Sequence, residues 1–260
     1  MTETYAKGAG EAGAGSGVLA RALSSFIKLT PGEIAALRAL EQRPHSFDKG
    51  EVITSPIEPS AGPFVVLEGF ALKFRQDMSG HRQASMLLIP GDIGNLGSAV
   101  LFATDDFVVA EGHCVASRFR IDEFYTLLSE HPRVGAALVW RAAVARSILA
   151  EHLVDVGRRS AYHRIGHRLL ELLVRMKWAG ITTNDTLAFE IHLATLADMV
   201  GLSPEHASRT MKTLRDDGFI SVTDRIITIE DAVGLATACE FDPSYLHLSG
   251  VPSRLDQRFS

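Results

Sequence analysis

The chain has 260 residues, 46% of them apolar, and a formal net charge of −5. That length suits one large or two modest domains, each able to bury a core without staples. The longest apolar run, 134–140, is far short of the ~18 residues needed to cross a bilayer. Residues 1–16 carry one Lys and no apolar block, unlike a secretory signal. The two cysteines, Cys114 and Cys239, cannot ligate an iron–sulfur cluster within one chain, and they suit a reducing compartment. A cytoplasmic protein with no membrane partner is expected. The acidic balance does not advertise nucleic acid, but a small basic face can hide within it.

Residues 1–17 are Ala, Gly and Glu with little to bury, and read as a mobile tail. In 18–43, Leu19, Leu23, Phe26, Ile27, Ile34, Leu37 and Leu40 predict two short helices, the second starting at Thr30-Pro31. From 47 to 120 the texture is that of short strands: 51–54, 64–67, 70–75, 83–89, 107–110 and 114–119. Glu68-Gly69, Ser79-Gly80 and Pro90-Gly91-Asp92 punctuate them, which predicts a sandwich or barrel. Phe70, Leu72 and Phe74 alternate with Ala71, Lys73 and Arg75, as in a half-buried strand. Strand punctuation then stops. Residues 134–156 read as one helix over 30 Å long at ~1.5 Å per residue. Its broad apolar surface (Leu138, Val144, Ile148, Leu149, Leu153, Val156) suits packing on its own domain and on a second copy of the chain. Gly157 is the expected stop, Ser160 the cap of a following helix 161–178, and 155–160 a hinge.

Residues 191–229 carry the most information. A short helix 193–200, a tight turn at Gly201-Leu202 and a second helix 203–217 are expected. Ser203 is the N-cap of the second helix, Pro204 its first position, Glu205 lies in its first turn and Gly218 ends it. At ~100° per residue, Ala207, Met211 and Leu214 share one face, and Glu205, Ser208, Arg209 and Lys212 the opposite one. A helix-turn-helix that reads DNA needs this division, because the N-terminal half of its second helix enters the major groove. Arg bonds guanine O6 and N7 together, Glu accepts from cytosine N4, and Ser serves base or phosphate. Glu205, Ser208 and Arg209 are therefore the candidate base contacts. Ser203, Lys212 and Arg225 are the candidate backbone contacts, Arg225 lying in the turn of a hairpin built from 219–222 and 226–229.

The run 196–203, Arg209-Thr210-Met211-Lys212-Thr213-Leu214 and Gly218-Phe219-Ile220 resemble the winged helix-turn-helix of the Crp/Fnr transcription regulators. Asp48-Lys49-Gly50-Glu51 and Pro90-Gly91-Asp92 resemble the turns of that family's β-roll. The resemblance spans about residues 20–230. It implies an α+β fold with a cyclic-nucleotide-binding-like β-roll, a long dimerisation helix and a C-terminal winged helix-turn-helix. The corresponding boundaries are 1–17 tail, 18–130 β-roll, 131–157 dimerisation helix, 158–235 DNA-binding domain and 236–260 extension. Glu205, Ser208 and Arg209 match the E-x-x-S-R of the Fnr branch. The resemblance thus implies a homodimer on a palindromic double-stranded DNA site with TGA-containing half-sites, with RNA polymerase as a further partner, and no enzyme activity. His192 stands where the family usually has Thr or Ser to cap the first helix.

The sensor half lacks the cyclic-AMP signature of the resembled family. Asn95, in 93–98, stands where Glu would hold the ligand, and 104–108 offers Asp105 and Asp106 and no Arg. Carboxylates there would repel a phosphate. The expected effector is not cyclic AMP, and the sequence names no other small molecule, no cofactor and no metal. His81 and His113 are open as haem ligands. Cys114 is open as a thiol switch, although buried inert thiols are commoner. His163 and His167, at i and i+4, have a spacing that can hold zinc. They read instead as part of a solvated basic face with Arg158, Arg159, Arg164 and Arg168, a face from which some arginines are within reach of phosphates. The competing class is a cupin-like, metal-dependent β-barrel enzyme. It would need clustered ligands such as His-x-His with a following Glu, a pattern that 47–120 lacks.

Overall fold

A computed structural model describes residues 17–24, 26–56, 62–101, 106–182 and 188–248, with backbone alone for 188–190. The expected tail apart from Gly17, the extension beyond 248, and Thr104 and Asp105 lie outside the described residues.

The fold is α+β. Strands β1 (Pro44–Phe47), β2 (Val52–Thr54), β3 (Phe64–Gln76), β4 (Arg82–Leu88), β5 (Ile93–Gly94) and β6 (Phe107–Arg118) form one antiparallel sheet of order β1-β6-β3-β4, with β2 on β6 and β5 on β3. A core of Phe47, Ile53, Phe64, Val66, Ala71, Leu88, Val108, Ala110, Cys114 and Ala116 lies between its strands. Two expectations need correction. Segments 64–67 and 70–75 are one strand, and so are 107–110 and 114–119. Glu68-Gly69 is not a turn but a pair of register shifts against β6. Gly69 has φ +70, and a Cβ there would lie 2.0 Å from the His113 carbonyl oxygen, so only glycine lets the two strands meet at this bend.

Helices α1 (Val18–Ser24), α2 (Pro31–Ala39) and α3 (Ile121–Glu130) close one side of the sheet with the start of α4 (Pro132–Arg158). A reciprocal cap starts α2: the Glu33 N–H donates to Thr30 Oγ1 and the Thr30 N–H to Glu33 Oε2. Helix α4 has 27 residues and runs ~40 Å. It passes through Gly157, the expected stop, and ends one residue later. A glycine without positive φ is only a weak break, and here the chain turns extended at Arg159 instead. Ser160 then caps α5 (Ala161–Trp178), its hydroxyl accepting from the His163 N–H.

The C-terminal half comprises α5, β7 (Ala188–Glu190), α6 (Leu193–Val200), α7 (Pro204–Asp216), β8 (Ile220–Thr223), β9 (Ile226–Ile229) and α8 (Ala232–Ala238). Strand β7, which lacks any distinctive pattern, adds to the hairpin in the order β7-β9-β8. Helix α8 crosses the expected 235/236 boundary, and the packed fold continues to Leu246: Leu235, Cys239 and Leu246 are all buried.

The core of this half is continuous with the outer face of the β-roll. Leu72, Phe74, Ala84, Leu87 and Ile89 pack with Ile165, Leu169, Leu196, Met199 and Val200. The alternation in β3 is thus real, but its large apolar members face the helix-turn-helix, while Ala71 faces the roll's own core.

Candidate nucleic-acid interface

Helix α6 is amphipathic and ends at Gly201, whose φ of +64 lets the Leu202 N–H return to the Ala197 carbonyl. Its start has no side-chain cap from His192. The cap comes from the β-roll: the Glu111 carboxylate of β6 accepts from the His192 N–H (3.3 Å) and from Thr195 Oγ1 (2.8 Å), with His192 Nδ1 at 3.1 Å. Lys49 Nζ, 2.6 Å from His192 Nε2, completes the join. His192 in place of a capping hydroxyl was the one sequence signal that α6 needs a partner from elsewhere. Arg82 pairs with Asp198 at 2.9 Å, and Gln83 Nε2 donates to the Asp198 carbonyl. The first helix of the pair is therefore seated on the β-roll.

Helix α7 starts as its sequence predicts. The Ser203 hydroxyl accepts from the His206 N–H, and Pro204 follows. The Glu205 carboxyl is held below its ordinary range by its own backbone N–H and the Ser203 hydroxyl, with a smaller pull from Arg209. Ala207, Met211 and Leu214 are buried, and so is Thr210, whose hydroxyl donates to the His206 carbonyl. Tyr162 fastens the other end, its OH donating to Asp217 at 2.8 Å; burial and that carboxylate push its phenol pKa up. Glu205, Ser208, Arg209 and Lys212 are exposed on the outer face, and Ser203 is exposed at the N-cap. Asp224 and Arg225, at φ +51 and +69, close the β8–β9 hairpin in a two-residue turn, with Arg225 exposed.

The other candidates land elsewhere. Among the arginines of the expected solvated face, Arg158 is exposed. Arg168 is buried, and its Nη2 donates to the Met199 carbonyl. Arg164 reaches the Val200 carbonyl, so both complete the C-terminal end of α6, where cations are favoured. His167 is buried too and faces away from solvent, correcting its expected place on a wet face. The physical reason is that α5 runs through the middle of this half, so it has no fully wet side. Arg168 also bonds His152 of α4, which lies 2.7 Å from Glu171. Burial alone would raise the Glu171 carboxyl, but His152, Arg168 and Arg175 together hold it down to about 2. Arg175 in turn reaches Asp92 in the β-roll at 2.7 Å, and Arg141 of α4 pairs with the same carboxylate.

Burial pushes the thiols of Cys114 and Cys239 up to about 11, the opposite of what a reactive thiolate needs. His81 is exposed in the β3–β4 turn against Asp77, whereas His113 lies beside Gly69, roughly 20 Å along β3, so the two cannot share one iron. Asp106 pairs with Lys73 (2.8 Å) and Arg75 (3.1 Å). Among the described residues no helix is long and apolar enough to cross a membrane.

Residues 163–238 match the Crp-like helix-turn-helix domain. The chain is 29% identical over 208 residues to the nitrogen fixation regulation protein FixK of Bradyrhizobium diazoefficiens, covering 78% of this chain and 84% of the relative. It is 27% identical over 223 residues to FixK of Azorhizobium caulinodans, covering 84% and 86%. The solved structure of FixK2 from Bradyrhizobium japonicum superposes with a TM-score of 0.67 at 20% identity, over 75% of this chain and 95% of that one. Together these likenesses support a Crp/Fnr family regulator. As a Crp/Fnr-type transcription regulator it has relatives that are regulators rather than enzymes, which leaves the cupin-like alternative without support.

Proposed function

We propose that this regulator reads a palindromic DNA site as a homodimer, with Glu205, Ser208 and Arg209 at base edges and Ser203, Lys212 and Arg225 at phosphates. The observation that carries the reading is the exposure of Glu205, Ser208, Arg209 and Lys212 on one face of a helix whose opposite face is buried, with the exposed Ser203 at its N-cap. That helix presents its N-terminal half outward, the half that enters a major groove. The match of Glu205, Ser208 and Arg209 to the E-x-x-S-R pattern favours TGA-containing half-sites.

Dimerisation is assigned to α4. Val139, Ala142, Arg146, Leu149, Leu153 and Val156 recur at alternating steps of three and four, and all are exposed. The opposite face, with Ile148, His152 and Asp155, is buried against the rest of the chain. Residues 18–130 serve as the sensor unit, 131–157 as the dimer helix, and 158 onward as the DNA-binding unit. The protein acts in the cytoplasm, on promoters where RNA polymerase is the further partner. Its effector is not cyclic AMP: Asn95, in a left-handed turn, holds the Gly62 carbonyl through its Nδ2 at 3.4 Å and brings no carboxylate to the ribose.

Selection of bound duplexes from random sequence tests the reading. The expected result is an inverted repeat whose half-sites lie about one helical turn, ~34 Å, apart. Enrichment of no sequence, or of a single unrepeated half-site, would reject it. Leu153→Glu puts a charge in the seam; sedimentation should show the dimer giving way to monomer, with the fold retained.

A further inference from the structure

At the junction of α4 and α5, Glu151 and Asp155 stand one turn apart on α4 and His167 faces them from α5. One donor atom from each lies within 4.8 Å of the others. Asp155 and His167 are almost fully buried, with side chains 3% and 1% exposed, and Glu151 forms the more open edge at 24%. His167 Nε2 lies 2.7 Å from the Cys239 carbonyl oxygen. A carbonyl only accepts, so Nε2 carries the proton, and in the neutral ring Nδ1 is a lone pair. That Nδ1 has no hydrogen-bond partner and stands 3.4 Å from Asp155 Oδ1. A ring nitrogen facing a carboxylate oxygen in a buried site calls for positive charge there, supplied either by a second ring proton that pairs His167 with Asp155 or by a cation bound between them. A ring N–H fixed on a backbone carbonyl, with the other nitrogen presented inward, is the arrangement found behind metal-ligating histidines.

The cation now at the carboxylates is the Arg159 guanidinium, whose Nη1 lies 2.6 Å from Glu151 Oε1 and 2.7 Å from Asp155 Oδ1. It does not satisfy His167, since a guanidinium hydrogen bond to Nδ1 is absent. Arg159 is 26% exposed at the hinge and can swing into water. We infer that Glu151, Asp155 and His167 form a binding site for a divalent transition-metal ion, for which the Arg159 side chain is the built-in competitor. One imidazole nitrogen and two carboxylate oxygens suit Zn²⁺ or Mn²⁺, with water completing the shell. The ion would tie the last turns of α4 to α5 across the hinge. This site departs from the sequence expectation of no metal, because that reading weighed His167 only against His163, on its own helix.

The test uses the full chain stripped with a chelator and titrated calorimetrically with Zn²⁺ and with Mn²⁺. The expected result is saturable binding of one ion per chain. Arg159→Gln, which removes the competitor, should tighten it about tenfold, and Glu151→Gln should weaken it at least about tenfold. Glu151 lies at the open edge, so its variant keeps the test valid where a change at buried His167 would unfold the protein. Circular dichroism verifies the fold of each variant. Absence of saturable binding in both the wild type and Arg159→Gln, or binding indifferent to Glu151→Gln, would overturn the site. Neither readout involves DNA, so its failure is separate from a failure of the DNA-binding reading.

Discussion

Helices α5 and α7 look alike as strings: each mixes charged residues with an apolar stripe, and each starts at a capping serine followed three residues on by the N–H it holds. Their polar groups have opposite fates. On α7, Glu205, Ser208, Arg209 and Lys212 stay in water. On α5, His167, Arg168 and Glu171 are buried and joined to α4, to α6 and, through Arg175, to the β-roll. A polar helix face therefore has two meanings. Groups left in water are available to a partner, whereas groups taken from water must find partners inside the chain.

Substitutions separate the two meanings. Arg168→Ala leaves His152 and Glu171 partly unpaired in the interior, and should cost about 3–5 kcal/mol in urea unfolding. A loss below ~1 kcal/mol would show that the buried network is not what holds the two halves together. Arg209→Ala should leave stability within about 0.5 kcal/mol. Its loss should appear on specific DNA, about 1–3 kcal/mol, with much less on random duplex. Equal losses on both would reject base reading by Arg209.

Two smaller effects sharpen the contrast. Glu111→Ala removes a cap that one unit supplies to another, and should cost about 1 kcal/mol. His192→Ser should restore a local cap and make the Glu111 change cheaper, which a double-mutant cycle measures. Additive losses would mean that Glu111 caps nothing. The acid response completes the set. The Glu171 carboxyl sits at about 2 in the fold against 4.5 unfolded. Its contribution is complete above the unfolded value and is lost as pH falls from there through 2. Unfolding free energy should therefore fall across that window in the wild type and more shallowly in Glu171→Gln.

Much of the interface was legible without coordinates. Ser203, Pro204, Glu205 and Gly218 are local signals, and the division of α7 follows from helix geometry alone. Thr30-Pro31, Ser160 and Gly201 work the same way, because a cap or a left-handed turn is decided within a few residues. Glu68-Gly69 misled for a related reason: a glycine at positive φ serves a turn and a strand bulge equally well, and only the neighbouring strand distinguishes them. Likewise the β3 alternation identified an apolar face without saying that the helix-turn-helix would cover it.

By itself, then, the chain order determined most of the element types, the start of α7 and the exposed side of that helix, and it carried the resemblance to the Crp/Fnr regulators. Only the tertiary structure decided which charges are wet and which are sealed, that Glu111 caps a helix more than eighty residues away in sequence, and that His167 meets Glu151 and Asp155 rather than His163. The physical reason is range: backbone conformation is settled by neighbours along the chain, whereas the environment of a charge is settled by whatever the fold brings against it.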